Sequence, residues 1–352
     1  MMAAALLALA LAASAEERAA PRRSSADHER AAPRGSLMIA YMNCDQPGPT
    51  PGCTYHPYVN TVTPQNTTMN PSQQRQLSAG RAYGANSASA YDAEGQIMYF
   101  FQGGEDTMYR IDAKTMQPLP TIPLDTQLLP QGFIGVAGVV WDVGSSSLLA
   151  VLSQTPRQAR LVEIDALSGA VVPLDAAVDP AKRVDFPAGL VASDGEVLVS
   201  PRGWSSASPH SLSVVNVSTG EAKVVELSKM MRIFSLEYGD GAWWAVGAVC
   251  PDMPPGAYGC GTSTPGHTTL ATLDPHTGTV TPHPRANITT YPGFSLAHQA
   301  FDHANGIMYF TSDPDIVGVS VRTGEVVTSS PLVHWADGTQ DAGFVLAMKF
   351  RG

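Results

Sequence analysis

At 352 residues, 44% of them hydrophobic and only 15% charged, the chain has ample material for a large core and is too apolar for a solvated polymer. The formal net charge is −10; five of the basic and four of the acidic residues fall in the first 34 positions, leaving sixteen against twenty-seven beyond them. That balance repels phosphate backbones and anionic lipid surfaces, which excludes nucleic acid as a partner.

Reading from the first residue, MMAAALLALALAASA is an apolar run ending in Ala13-Ser14-Ala15, the small-residue pattern of a secretory signal peptide over 1–15. It is too short and alanine-rich for a membrane anchor, although a basic stretch ahead of it is missing. No later segment could span a bilayer, so the reading is of a secreted, extracellular protein without membrane insertion. Residues 16–34 carry Ala, Arg, Glu, Ser and Pro without apolar periodicity and read as a disordered linker or propeptide.

Four cysteines stand in two close pairs, Cys44 with Cys53 and Cys250 with Cys260. In an oxidising compartment they read as two local disulfides. A zinc site would need both pairs to meet, and the spacing within each exceeds the usual two to four residues. Sequons at Asn66, Asn216 and Asn287 suit a secreted glycoprotein.

From residue 35 onward a degenerate repeat runs to the end. An apolar strand ends in Asp or Asn, with Thr or Ser three residues on and usually Gly after it: Asp165-Ala-Leu-Ser-Gly169, Asn216-Val-Ser-Thr-Gly220, Asp274-Pro-His-Thr-Gly278 and Ser320-Val-Arg-Thr-Gly324. Weaker copies start at Asn60 and Asp112, so the anchors lie 52, 53, 51, 58 and 46 residues apart. Such a segment is a hairpin in which Asp or Asn bonds the local backbone and Gly takes the positive φ. A second turn precedes each clear anchor by about twenty residues, as in YDAEGQIMYFF and YGDGAWWAV, so each unit holds four strands, a to d.

Six such units predict an all-β, six-bladed β-propeller over 35–352, with four antiparallel strands per blade. The 318 residues from Gly35 to Gly352 divide by six into the same period, whereas seven blades would leave one set of turns unaccounted for. Phe344–Gly352 has the pattern of a strand a without b, c and d, and Ser36–Asn43 that of a strand b without a. Pairing the C-terminal strand with the N-terminal strands would close the ring and remove unpaired edges.

FDHANGIMYFTSD resembles the repeat of low-density-lipoprotein-receptor-type propellers, with YDAEGQIMYFF a weaker copy, and the Asp-x-x-Thr-Gly turns are similar to those of NHL-type and lactonase-type propellers. The resemblance is one of blade pattern, and it implies fold rather than substrate. Likeness to the lactonases implies a calcium ion held in the channel by carboxylates. The corresponding positions here are Ser87, Ala137, Gly189, Ser235 and Ala297, none a carboxylate, so no metal or other cofactor is expected there.

None of the common catalytic motifs occurs. In a propeller the d-to-a and b-to-c connections share one side, which holds the ligand candidates. They are Arg81, Gln131, Asp185, Arg232 and Asp341 on d-to-a connections, with His298 and Glu237 just inside them, and Trp204 and Tyr258 in two long b-to-c connections, the second of which Cys250 and Cys260 would staple. For each, a purely structural role is the commoner explanation. The expectation is a secreted recognition propeller for an extracellular protein or carbohydrate; the alternative is a hydrolase or lyase acting at the channel mouth.

Overall fold

The computed structural model describes residues 35–44, 55–69, 73–77, 87–102, 105–125, 135–155, 158–174, 187–193, 195–201, 211–229, 231–249, 267–286, 288, 299–312, 315–331 and 345–351. They form six four-stranded antiparallel sheets, and no α-helix occurs among them.

Blade 1 contains β1 (Ser36–Cys44), β2 (Tyr55–Val62) and β3 (Arg75–Gln76). Blade 2 contains β4 (Ser87–Asp92), β5 (Ile97–Gln102), β6 (Thr107–Asp112) and β7 (Gln117–Pro123). Blade 3 contains β8 (Gly135–Asp142), β9 (Ser147–Thr155), β10 (Gln158–Ile164) and β11 (Val171–Pro173). Blade 4 contains β12 (Pro187–Ser193), β13 (Glu196–Pro201), β14 (Ser211–Asn216) and β15 (Ala222–Glu226). Blade 5 contains β16 (Met231–Gly239), β17 (Ala242–Val249), β18 (His267–Leu273) and β19 (Val280–Pro282). Blade 6 contains β20 (Gln299–Asp302), β21 (Ile307–Ser312), β22 (Asp315–Ser320) and β23 (Val326–Pro331). The last strand, β24 (Val345–Arg351), returns to blade 1, whose order is β24-β1-β2-β3.

Closure takes the form expected from the termini. Leu37 pairs with Phe350, Ile39 with Met348 and Tyr41 with Val345, so β24 is the inner strand of blade 1. The inner strands β24, β4, β8, β12, β16 and β20 each lie against both neighbours and form a closed ring.

The core is divided in a way that makes closure necessary. Each of its six apolar clusters draws on two consecutive blades, including one across the blade 6 to blade 1 junction, where Tyr309 and Phe350 stack at 5.7 Å. Among the described residues no blade holds a cluster of its own, so each is stable only between two others. Five of the six inner strands place an aromatic next to last: Tyr91, Trp141, Tyr238, Phe301 and Phe350. Three of these demonstrably wedge back onto the preceding blade. Trp141 stacks on Tyr99 at 5.5 Å, Phe350 stacks on Tyr309, and Phe301 occupies the space a Cβ on Gly239 would need.

The repeating turns are built as the motif requires. Asp165 Oδ1 accepts the amides of Leu167 and Ser168, and Asn216 Oδ1 those of Ser218 and Thr219. The Ser168 hydroxyl and amide hold the Asp165 carboxyl below its ordinary value, and the Thr277 hydroxyl does the same for Asp274. Gly169, Gly220, Gly278 and Gly324 close these turns with φ of 71° to 75°, and Met116 stands there in the weaker copy with φ of 58°. The same Asx device recurs in a-to-b turns at Asp92, Asp142 and Asp302.

Gly169 and Gly278 have a second reason to be glycine. A Cβ on Gly169 would strike the Pro123 carbonyl, and one on Gly278 that of Glu226, because strand d of each preceding blade ends against that turn. Asp125 N–H donates to Gly169 O at 2.9 Å and Ser228 N–H to Gly278 O at 2.8 Å. At the closing junction Thr67 Oγ1 donates to Pro331 O at 2.6 Å and Thr328 Oγ1 to Pro64 O at 2.8 Å. The outer strands are thus tied head to tail.

One anchor differs from its expected place. Asn60 is not a turn residue: it lies inside β2, buried, paired with Ile39 and accepting the Thr61 amide at 2.7 Å. Strand c of blade 1 runs on to Val62, and its connection to strand d is wider, with Thr63 and Asn66 bridged.

Joining Arg351 to Ser36 through Asp-Gly, the dipeptide that links Gly239 to Ala242 with φ of 53° and 75°, should give a circular permutant, opened at 313–314, that folds with a wild-type circular dichroism spectrum. Deleting 345–352 should abolish cooperative unfolding. Ser146, at φ 54°, should gain about 0.5 kcal/mol on Ser146→Gly, whereas Gly278→Ala should lose about 2–4 kcal/mol, read as shifts in urea midpoint.

Candidate functional site in the central channel

Strand direction sorts the ring into two sides. The a-to-b and c-to-d turns lie side by side, with Ala113 N–H on Gln96 O at 2.8 Å, Val217 on Gly195 at 2.9 Å and Val321 on Gly306 at 2.9 Å. The b-to-c and d-to-a connections leave the opposite strand ends. Residues 45–54 and 250–266 connect strands b and c of blades 1 and 5. Cys44 ends β1 opposite Tyr55, while Cys53, Cys250 and Cys260 lie outside the described residues.

Arg81, Gln131, Asp185, Trp204, Tyr258, His298 and Asp341 also lie outside the described residues, as does Asn287. Arg232 is not on a d-to-a connection: it sits in β16 opposite Ala248. Glu237 is on an inner strand as expected but at its other end, two residues before Gly239 and the hairpin to Ala242. It belongs to the turn side of the channel. Nine residues of β16 separate the two sides, which a pattern reading that lacked the strand's starting point could not resolve. Asn66 lies on a c-to-d connection, and Asn216 ends β14 where the c-to-d connection of blade 4 begins. The Ser218 hydroxyl bonds Asn216 Oδ1 at 2.7 Å, so that sequon is also the turn motif with Asn in the place of Asp.

The inner-strand positions two residues before the turn are Ala90, Val140, Val191, Glu237, Ala300 and Lys349. Four are small or apolar and two carry opposite charge. Lys349 Nζ comes to 4.0 Å from Glu237 Oε1, although β20 stands between their strands in the ring, so the two side chains meet at the channel. They are 20% and 17% exposed.

Gln299, at the start of β20, fixes the carboxylate's surroundings. Its Oε1 accepts the Ser235 hydroxyl at 2.8 Å and the Leu236 amide at 3.0 Å, and its Nε2 donates to the Leu236 carbonyl. One side-chain amide thereby supplies the pair of bonds that a neighbouring strand would have made, and it also hydrogen-bonds Glu237. Below the site the Trp244 indole donates to Gly239 O at 2.9 Å and locks the hairpin. Burial pushes the Glu237 carboxyl above its ordinary 4.5, and the opposing pull of Lys349, His303 and the Gln299 bond does not cancel it. Sequence reading missed Lys349 and Gln299. The available signal was Lys349, the sole charge in the run Val345–Phe350, at the same distance from its strand end as Glu237.

A raised carboxyl favours the folded state in its protonated form, so this contribution to stability is present below about 4.5 and lost as pH rises through the folded value. The turn aspartates act with the opposite sign but are fully ionised above about pH 5. The wild type should therefore lose stability relative to Glu237→Gln as pH rises from about 5 to 8, measured as the difference in urea midpoints across that range.

No protein-family model matches the sequence, and no curated protein matches it. Among solved structures, a chain of a nidogen/laminin complex is similar with a TM-score of 0.55 at 10% identity, over 90% of this chain and 99% of that one. A protein of unknown function from Bacteroides caccae matches with 0.52 at 14% identity, over 90% and 98%. TolB from Acinetobacter baumannii matches with 0.51 at 12% identity, over 90% of this chain and 66% of that one. Identities this low speak for architecture alone. Six closed blades and these neighbours make the chain a six-bladed β-propeller.

Proposed function

We propose that the protein is a secreted recognition propeller that engages an extracellular protein or carbohydrate through its loop side. The observation that carries this reading is the inequality of the two sides. On the turn side, connections of two to four residues close the five a-to-b hairpins, and Asp92, Asp142 and Asp302 satisfy local amides within them. On the loop side the b-to-c connections run to 10 residues in blade 1, 9 in blade 4 and 17 in blade 5, and excess length of that kind serves binding. The similar chain crystallised within a nidogen/laminin complex supports a protein partner. A second reading, a hydrolase or lyase, draws on the near-buried Glu237 carboxyl beside Lys349.

Expressed in eukaryotic cells, the protein should reach the medium with Glu16 as its first residue, by N-terminal sequencing. Probed against purified matrix glycoproteins and a glycan array, it should bind at least one target with micromolar affinity or better, and Trp204→Ala with Tyr258→Ala should abolish that binding. Leu167→Ser, on the turn side, should leave it intact. A panel without a hit, or a hit indifferent to the loop-side pair, would refute the reading.

A further inference from the structure

We propose that the gap between Lys349 Nζ and Glu237 Oε1 receives a hydroxyl group of a neutral polyhydroxy compound, a sugar or a polyol, bound in the central channel. The site is distinct from the loop side and does not depend on what binds there.

The first support is the separation. At 4.0 Å the two groups attract, but they stand beyond the 2.7–3.2 Å of a hydrogen bond. Lys349 has three N–H donors on a side chain only 20% exposed, and among the described residues Glu237 is the anion it faces. The pair is close enough to organise a guest and too far apart to satisfy itself.

The second is the chemistry of the guest that fits. A carboxylate only accepts and an ammonium only donates, so a group bonding both must donate and accept at once. A hydroxyl does this without a charge. A guest carboxylate would be drawn to Lys349 and repelled by Glu237; a guest amine would meet the reverse. An oxygen about 2.8 Å from each group sits at the apex of a triangle on the 4.0 Å base, with an angle of about 90°, which a hydroxyl's O–H and lone pair can span.

The third is the setting. The remaining four positions of the same register are Ala90, Val140, Val191 and Ala300, so Glu237 and Lys349 carry the only charges at this level of the inner strands, and few placed polar groups are what orient a small-molecule guest. The carboxylate is also preorganised: Gln299, which bonds it, is itself locked to Leu236 and Ser235. A near-buried ion pair adds little stability by itself, which leaves its groups available to a guest.

The test uses the full chain, with D-glucose, D-galactose, N-acetyl-D-glucosamine and myo-inositol as probes in saturation-transfer NMR and calorimetry, and propionate and ethylammonium as charge-only controls. At least one polyol should bind saturably. Lys349→Met and Glu237→Gln should each weaken it about tenfold or more, and Leu167→Ser, at an exposed turn of blade 3, should not. Glu237→Asp keeps the charge, shortens the reach by one methylene and should weaken binding as well, so the result does not hang on a variant that fails to fold. Absence of saturable binding by every polyol, equal binding by the channel variants, or preferential binding of propionate would overturn the proposal.

Discussion

The pairing of β24 with β1 is the constraint on which the molecule rests. Because each apolar cluster is shared by two blades, opening any junction exposes both halves of a cluster, and only the β24–β1 pairing inside blade 1 has no hairpin joining its inner strand to the next. Leu37 opposite Phe350, the Tyr309–Phe350 stack and the two threonine-to-carbonyl bonds at Pro64 and Pro331 are what hold it. A stack of that kind contributes about 0.5–1.5 kcal/mol beyond the area it buries. The same closure brings Lys349, from the last strand, to the channel beside Glu237 of blade 5, so the candidate site exists only in the completed ring.

Turn chemistry supplies the second level of order. Aspartate or asparagine at a strand end satisfies two or three local donors, and the glycine after it both adopts positive φ and lets the preceding blade's outer strand come close. Further bracing passes between turns: Arg322 Nε meets Asp240 Oδ2 at 3.1 Å, and the Arg351 guanidinium reaches the Ala113 carbonyl. Blade 3 is the exception, where Leu167 and Val143 stand 81% and 78% exposed at its two turns.

The architecture was legible because the hairpins demand particular residues: Asp165, Asn216 and Asp274 must accept, and Gly169, Gly220 and Gly278 must turn left-handed. Local necessity writes itself into a periodic pattern. Asn60 misled because it has the right chemistry in the wrong place; its oxygen serves a strand interior, and spacing cannot tell the two uses apart. Glu237 was visible as a carboxylate on an inner strand, but its side of the ring follows from where β16 begins, which no turn residue marks. Its encounter with Lys349, 112 positions on in the chain, is a product of ring geometry and leaves no trace in either segment.

One further consequence follows from the place where the ring is sewn together. Gly35 and Arg351 take the position that a hairpin occupies in the other five blades, beside the turns. Any tag, dye or solid support attached next to either residue is therefore anchored beside the a-to-b turns, and captures the ring with that side toward the support.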